Sequence, residues 1–583
     1  MQESARRSRD TSRVTGRLAG YVSLTMWQTL TMQKTRLVEL AVVAIISLVV
    51  LGFGIQGAGI ASGYVDPILK ARAQDEAVYG HAAAVMVHTG RWVTPEFLGR
   101  FMLNKPPLLF WSGAVAMRVL GVNQVALRIV PIFAAALCCA VVYAWLRRSS
   151  SILVAASGVL LLLGNSLFHS MARKFMTDIL LALLITSAMF VLSGDPGLTR
   201  IRSAVFFGLL AGAAILTKSA AGFVPLLILI AYCFVVGAKD RPTVQRVLIV
   251  VAAAVAIAAP WHAYQFLVHR EWFVAEYIRF QLLGSGISAP SRYTGESNLS
   301  FYAWRLIALA PLLLILCASA AAFWKRHAEE AEARLIAVWC AAGFLCPLAF
   351  GTRVAYYLLP LVPAMAVAAV RLSPFFRGRW AGTIFCVLAI AFGVKTSESG
   401  ADWGLDYERE SVPSAAALDQ YGQLRRVNEL VIVAPDDEFY SAVLDLPKVR
   451  YAFLGNVDPT KTTQFFYWLG VNVSPSDFCN LDALTPEYLQ HLTAWGIRDT
   501  KPVGTIIAGG SSAELGMLVR CSADRDFFLP ENLRDAAVEA GGLTHSATPD
   551  QNGRFFLLSK TSARRADHAA QPGTIITARI PPR

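Results

Sequence analysis

The sequence predicts a polytopic α-helical membrane protein followed by a soluble α/β domain. Three observations lead there. Of the residues 55% are apolar and only 16% charged, far from the balance of a soluble globular chain. Long apolar runs recur from about Leu37 to Lys395, at lengths that suit helices crossing a bilayer rather than the short alternating segments of a barrel. From Ser397 the composition turns to that of a soluble domain, with short strand-like runs such as Leu430-Val431-Ile432-Val433.

The first 36 residues carry Arg6, Arg7, Arg9, Arg13, Arg17, Lys34 and Arg36, ahead of a run too long for a signal-peptide core. They read as a basic cytoplasmic segment before an uncleaved first span. About eleven spans follow, near 37–58, 125–146, 151–169, 178–193, 203–217, 220–237, 245–263, 301–323, 335–350, 354–372 and 380–395. With the N-terminus inside, five connections become cytoplasmic: Arg147-Arg148, Gly194 to Arg202, Lys239 to Arg246, Trp324 to Arg334 and Ser373 to Arg379. Each is basic, as orientation by positive charge requires. The net charge of +13 is thereby accounted for without nucleic acid. Seven of the nine cysteines lie in or beside apolar runs, with no CxxC spacing, and read as small packing residues; Cys479 and Cys521 could pair if the tail is extracytoplasmic.

This topology sends the remaining unusual charges to the outer face. Asp75, Glu76 and Lys105 fall in a first outer loop of about residues 59–124. Arg173, Lys174 and Asp178 open the fourth span, and Lys218 occupies a very short outer turn. Arg279, Arg292 and Glu296 fall in a long outer loop of about 264–300, and Arg353 with Tyr356 and Tyr357 opens the tenth span. Ionisable groups at membrane depth are costly and usually functional, so their convergence marks a site; independent snorkelling to the headgroups is the plainer alternative. A carboxylate pair followed by a lone Lys at a membrane surface suits a phosphate-bearing lipid and a nucleophile. Within the first loop, Asp75 to His88 and Leu108 to Leu120 read as short amphipathic helices, the second interfacial with Trp111 at headgroup level.

The ordered set Asp75-Glu76-x-x-Tyr79, Gly90-x-Trp92-x-x-Pro95, Lys105-Pro106 and Trp111 resembles the first loop of ArnT-like glycosyltransferases, within the GT-C group that includes protein O-mannosyltransferases. The resemblance continues through Ala126-Leu127-Arg128, Thr177-Asp178, Gly212-x-x-x-x-Thr217-Lys218, Pro260-Trp261, Trp272-Phe273, Arg279-Phe280 and Tyr356-Tyr357-Leu358-Leu359-Pro360, covering roughly residues 60–370. It implies a GT-C-like catalytic domain over 37–395 that moves a sugar from a polyprenyl-phosphate carrier to a glycan, lipid or protein acceptor outside the cytoplasmic membrane. Asp75 matches the aspartate that activates the acceptor, Lys105 the lysine beside the carrier phosphate, and Asp178 a second carboxylate. Glu76 completes the acidic set, oriented toward Tyr79 or a loop Arg. Arg279, Arg292, Lys218 and Arg353 are the further phosphate candidates, and Tyr79, Trp111, Tyr356 and Tyr357 the aromatic substrate contacts. Where the family carries a metal-ligating Glu this chain has Asn104, and the long outer loop lacks the matching His. The resemblance keeps a divalent metal open as a cofactor, and Asn104 argues against it; no other cofactor is assigned.

The chemistry of such a transfer needs an activated hydroxyl and a stabilised leaving phosphate. A carboxylate supplies the base, and Lys or Arg the positive charge. Asp75 could alternatively cap a helix, and so could Asp178. The tail, 396–560, is expected to be an extracytoplasmic α/β domain, with 561–583 disordered. Its Gly509-Gly510-Ser511-Ser512 reads as a plain turn, and Phe465-Phe466-Tyr467-Trp468 as core. A transporter or flippase of a lipid-linked sugar, or a non-catalytic assembly subunit, are the competing classes. A transporter would carry its charges near the midplane rather than at span ends.

Overall fold

The structure, a computed structural model, describes residues 35–53, 75–97, 100–270, 273–288, 297–350 and 353–377, together with strands between 430 and 560 and residues 535 and 539. The chain divides into two compact units interleaved in sequence. One takes residues 1–55, 128–263 and 279–399; the other takes 56–127, 264–278 and 400–583.

The first unit is a helical bundle. Among the described residues seven stretches are long and apolar enough to cross a membrane, or up to nine if each of two bent pairs is one span. They are α1 (Thr35–Gly52), α4 (Gln124–Leu146), the pair α5 (Ile152–Leu163) and α6 (Ser166–Ala172), α7 (Thr177–Gly194), α8 (Ile201–Lys218) running into α9 (Val224–Val235), α10 (Val244–Val268), the pair α12 (Asn298–Leu309) and α13 (Pro311–Ala322), α14 (Ala331–Leu348), and α15 (Leu361–Leu372). This is a multi-pass membrane architecture. α15 is central, with α5, α13 and α14 packed around it.

Ion pairs gather the basic connections at one end. Arg147, just after α4, holds Glu39 near the start of α1 at 3.0 Å. Arg148 donates to Ser193 Oγ at the end of α7 and lies 3.8 Å over the Phe190 ring. Glu332, at the start of α14, accepts from Trp145 Nε1 and from Arg371 Nε near the end of α15. Arg334 donates to the Val235 carbonyl at the end of α9. Alternate helices must therefore run in opposite directions. The stretch Ile201–Val235 is accordingly not one long helix. It reverses at Ser219, whose φ of 28° and ψ of −120° break the helix, and a short tight turn, Ser219–Phe223, follows. The close approach of α8 to α10 depends on Gly208 and Gly212: a Cβ at either would lie 2.4 Å from the Val250 carbonyl oxygen or 2.6 Å from that of Ala254.

Two expected spans, 151–169 and 301–323, are bent rather than straight, by 72° and 103°. Pro311 explains the second bend. It has no N–H and disfavours helical backbone at Ala310, which sits at φ −141° and ψ 44°. At the first, Asn165 leaves the helix and caps α6 by accepting from Phe168 N. The two breaks meet, because Asn165 Nδ2 donates to the Leu309 carbonyl at 2.9 Å, inside the bundle. The first bend thus satisfies a backbone carbonyl that the second leaves open, as apolar surroundings require. The eleventh expected span, 380–395, lies outside the described residues.

In the second unit, α2 (Asp75–Thr89) packs against α3 (Leu108–Leu120). Tyr79 meets Phe110 with ring centroids 5.6 Å apart. At 13 residues α3 is about 20 Å long, short of a bilayer core of about 30 Å. Between the helices a small antiparallel hairpin pairs β1 (Glu96–Phe97) with β2 (Arg100–Phe101). In the C-terminal part seven strands form one sheet in the order β5-β4-β6-β3-β7-β9-β8. These are β3 (Leu430–Val433), β4 (Val449–Leu454), β5 (Val471–Val473), β6 (Gly504–Ala508), β7 (Asp526–Pro530), β8 (Leu543–His545) and β9 (Phe555–Lys560). β5, β4, β6, β3 and β7 run parallel, while β9 is antiparallel to both β7 and β8. Parallel pairing needs crossover connections; those segments, with Cys479, Cys521, Gly509-Gly510-Ser511-Ser512, Phe465-Phe466-Tyr467-Trp468 and the tail 561–583, lie outside the described residues.

Candidate active site

The segment from Trp92 to Pro107 carries Lys105, and its backbone is held at several points. Gln265 Nε2, on α10, donates to the Val93 carbonyl at 2.9 Å, and Thr94 Oγ1 lies 3.3 Å from Gln265 Oε1. Trp111 Nε1 donates to the Trp92 carbonyl at 2.7 Å, and Met102 N to the Pro95 carbonyl at 2.8 Å. Arg91 pairs with the buried carboxylate of Glu96 at 3.2 Å. Phe101 lies against the His269 ring, with centroids 4.2 Å apart. Immediately before the site, the fully buried Leu103 donates its N–H to Glu276 Oε2 at 2.6 Å. Pro106 and Pro107 then fix the backbone dihedrals, and α3 begins. Lys105 thus projects from a segment whose main chain is immobilised on both sides, half-buried itself.

In the bundle a second constellation forms at the end opposite the basic connections. Asp178 stands in the first turn of α7, where the helix dipole favours a carboxylate. It does not cap that helix, because Met176 occupies the cap position. Its Oδ1 lies 2.5 Å from Lys218 Nζ at the end of α8, and Thr177 Oγ1 donates to Oδ2 at 3.3 Å. The Tyr357 and Tyr356 rings lie 4.4 and 5.4 Å from the same ammonium. Arg353 Nε donates to Asn298 Oδ1, whose amide Nδ2 in turn holds the Leu348 and Phe350 carbonyls at the end of α14.

The predicted residues therefore fall into distinct settings. Asp178, Lys218, Tyr356 and Tyr357 come together; Arg353 is tied to Asn298. Trp111 donates its indole N–H to the Trp92 carbonyl and is half-buried, and Tyr79 is buried in the α2–α3 contact. Arg279 is exposed on α11 (Phe273–Ser288), which is wound in a wider, π-type helix. Asp75 and Glu76 open α2, their side chains outside the described residues, as is Arg292. Glu276, Gln265 and Asn298 were not anticipated. Glu276 had a signal available, as an acidic residue among apolar neighbours three positions before Arg279. Among the described residues no three His, Cys, Asp or Glu side chains gather as a metal would need, and Asn104 offers an amide where a carboxylate would serve. No step is assigned to a metal ion.

A helical bundle with cations and carboxylates at one end of its helices defines a class of multi-pass membrane proteins with ionisable groups at membrane depth. Comparison narrows it. Residues 104–264 match the dolichyl-phosphate-mannose-protein mannosyltransferase family. An uncharacterized protein of Aquifex aeolicus is 26% identical over 302 residues, 50% of this chain and 58% of that protein. An undecaprenyl phosphate-alpha-4-amino-4-deoxy-L-arabinose arabinosyl transferase of Pseudomonas aeruginosa is 26% identical over 314 residues, 50% of this chain and 54% of that one. The matches thus span little more than half the length of these curated relatives. The crystal structure of ArnT from Cupriavidus metallidurans bound to undecaprenyl phosphate superposes with a TM-score of 0.61 at 17% identity, covering 90% of this chain and 98% of that one. That superposition shows a shared fold. In sequence the chain is thus similar to these transferases, and in fold to that ArnT.

Proposed function

We propose that the protein is an integral-membrane glycosyltransferase that moves a sugar from a polyprenyl-phosphate carrier to a glycan, lipid or protein acceptor at the outer face of the cytoplasmic membrane. The observation that carries this reading is the ordered motif set from Asp75 to Pro360 on a fold shared with an ArnT solved with undecaprenyl phosphate. Relatives named as undecaprenyl-phosphate aminoarabinose transferases support it.

In this reading Asp75 takes the proton of an acceptor hydroxyl. The oxygen attacks the anomeric carbon, the carbon–oxygen bond to the phosphate breaks, and the polyprenyl phosphate leaves with the bonding pair. Lys105, with Arg279 and Arg292, neutralises the leaving phosphate. Lys218, held by Asp178, and Arg353, held by Asn298, are the further candidates for that duty. Inversion at the anomeric carbon is the expected outcome. The basic end of the bundle faces the cytoplasm, the N-terminus is inside, and the C-terminal α/β domain over 396–560 is outside.

The test is transfer of radiolabelled sugar from a polyprenyl-phosphate donor panel in membranes, comparing wild type with Asp75→Asn. Transfer by wild type that falls about 100-fold or more in the variant, with carrier binding retained, is the expected result. Equal transfer by both would remove Asp75 as the base. Carrier translocation without transfer would replace the enzyme by a flippase.

A further inference from the structure

We propose that Asn104 is a specificity-determining residue whose side-chain carbonyl oxygen accepts a hydrogen bond from the sugar of a glycosyl-phosphate ligand. This deepens, and rests on, the reading above. Asn104 Oδ1 is buried and has no hydrogen-bond partner among the described residues. A buried acceptor without a donor is destabilising, and native proteins rarely keep one. Nothing about the local backbone forces the group there by accident. Leu103 N–H is fixed by Glu276 on one side of Asn104, and the chain is stiffened by Pro106 and Pro107 on the other. The amide therefore sits on a main chain that is set before any ligand arrives. The residue is half-buried with its carbonyl oxygen turned away from solvent, which suits a preorganised contact.

The ligand chemistry follows from the neighbour. Lys105, the next residue, is the cation proposed for the carrier phosphate. A molecule that meets both side chains carries a phosphate anion and, a few bonds away, hydroxyl or amino donors. A glycosyl phosphate has both; a bare lipid phosphate has only the first. Asn104 thus distinguishes a loaded carrier from a spent one, and a product that loses this contact is released more readily.

The experiment measures binding of three probes to the full chain in lipid nanodiscs: undecaprenyl phosphate, undecaprenyl phosphate-4-amino-4-deoxy-L-arabinose and undecaprenyl-phosphate mannose. Wild type is expected to bind at least one glycosylated carrier more tightly than the bare one. Asn104→Ala and Asn104→Leu are expected to weaken that glycosylated carrier about tenfold and leave the bare carrier within about twofold. Asn104→Asp, which keeps an acceptor, retains the preference. An unchanged preference in Asn104→Ala, or a wild type with no preference, overturns the inference. So does equal loss of all probes in both apolar variants, which would mark a structural role. If wild type binds no carrier at all, the glycosyltransferase reading falls with it; binding of the bare carrier with an unaltered preference sinks only the role of Asn104.

Discussion

Lys218 Nζ lies 2.5 Å from Asp178 Oδ1, with the two side chains 11% and 3% exposed. The pair joins the end of α8 to the start of α7, beneath the rings of Tyr356 and Tyr357. Breaking a buried pair strands one charge, whereas removing both leaves none. Lys218→Met and Asp178→Leu are each expected to destabilise the bundle by about 3 to 5 kcal/mol. The double variant should recover most of that. Thermal unfolding in detergent, read as a double-mutant cycle, checks the coupling; additive losses would mean that the pair does not act as a unit.

Glu276 fixes the backbone ahead of Lys105 by accepting the Leu103 N–H. Glu276→Ala orphans that buried donor and should cost about 1 to 3 kcal/mol. It should also raise the apparent KM for a polyprenyl-phosphate donor. Glu276→Gln keeps an acceptor in the same place and should restore most of both. A Gln variant as impaired as Ala would show that charge, not position, is what matters.

Gly208 and Gly212 let α8 and α10 approach until backbone atoms of α10 occupy the space of a side chain. Gly208→Val is expected to lower stability by about 1 to 3 kcal/mol, as overpacking does. Gly52→Ala, where nothing stands within 4 Å of the new Cβ, serves as the neutral comparison. Melting temperatures of the two purified variants decide it.

Asp195, in the connection between α7 and α8, provides a pH-dependent contribution. Burial alone would raise its pKa, but the N–H groups of Arg200 and Thr199 and the hydroxyls of Ser203 and Thr199 outweigh that and hold the carboxyl below its ordinary 3.8. A depressed folded-state pKa means stability that is full above the unfolded value and lost as pH falls through the folded one. Wild type should therefore lose stability below about pH 4. Asp195→Asn should start lower at neutral pH and show a shallower loss over the same acid range, measured by unfolding at stepped pH.

The helices were legible because lipid leaves so few options: apolar runs must satisfy their backbone internally, and basic loops take one side. Arg147, Arg334 and Arg371 do cluster at one end, held by Glu39, Glu329, Glu330 and Glu332. The bends at Asn165 and Ala310 were harder to read. Pro311 hinted at one, but the side chain that satisfies the carbonyl it frees is 144 residues away in sequence. Lys218 was legible as an unusual charge, yet its pairing with Asp178 was not, because hydropathy places residues at a depth without saying which helices are neighbours.

By itself the sequence determined the membrane class, the basic end of the bundle and the ordered motifs that link the chain to ArnT-like proteins. Those are properties of composition and order along one chain, and solvent acts on them residue by residue. Tertiary structure alone decided that Asp178 answers Lys218, that Glu276 holds Leu103, and that Asn104 presents a buried acceptor without a donor among the described residues. Each depends on which segments pack together, and packing is settled by shape and by the demand that buried polar groups find partners across the fold.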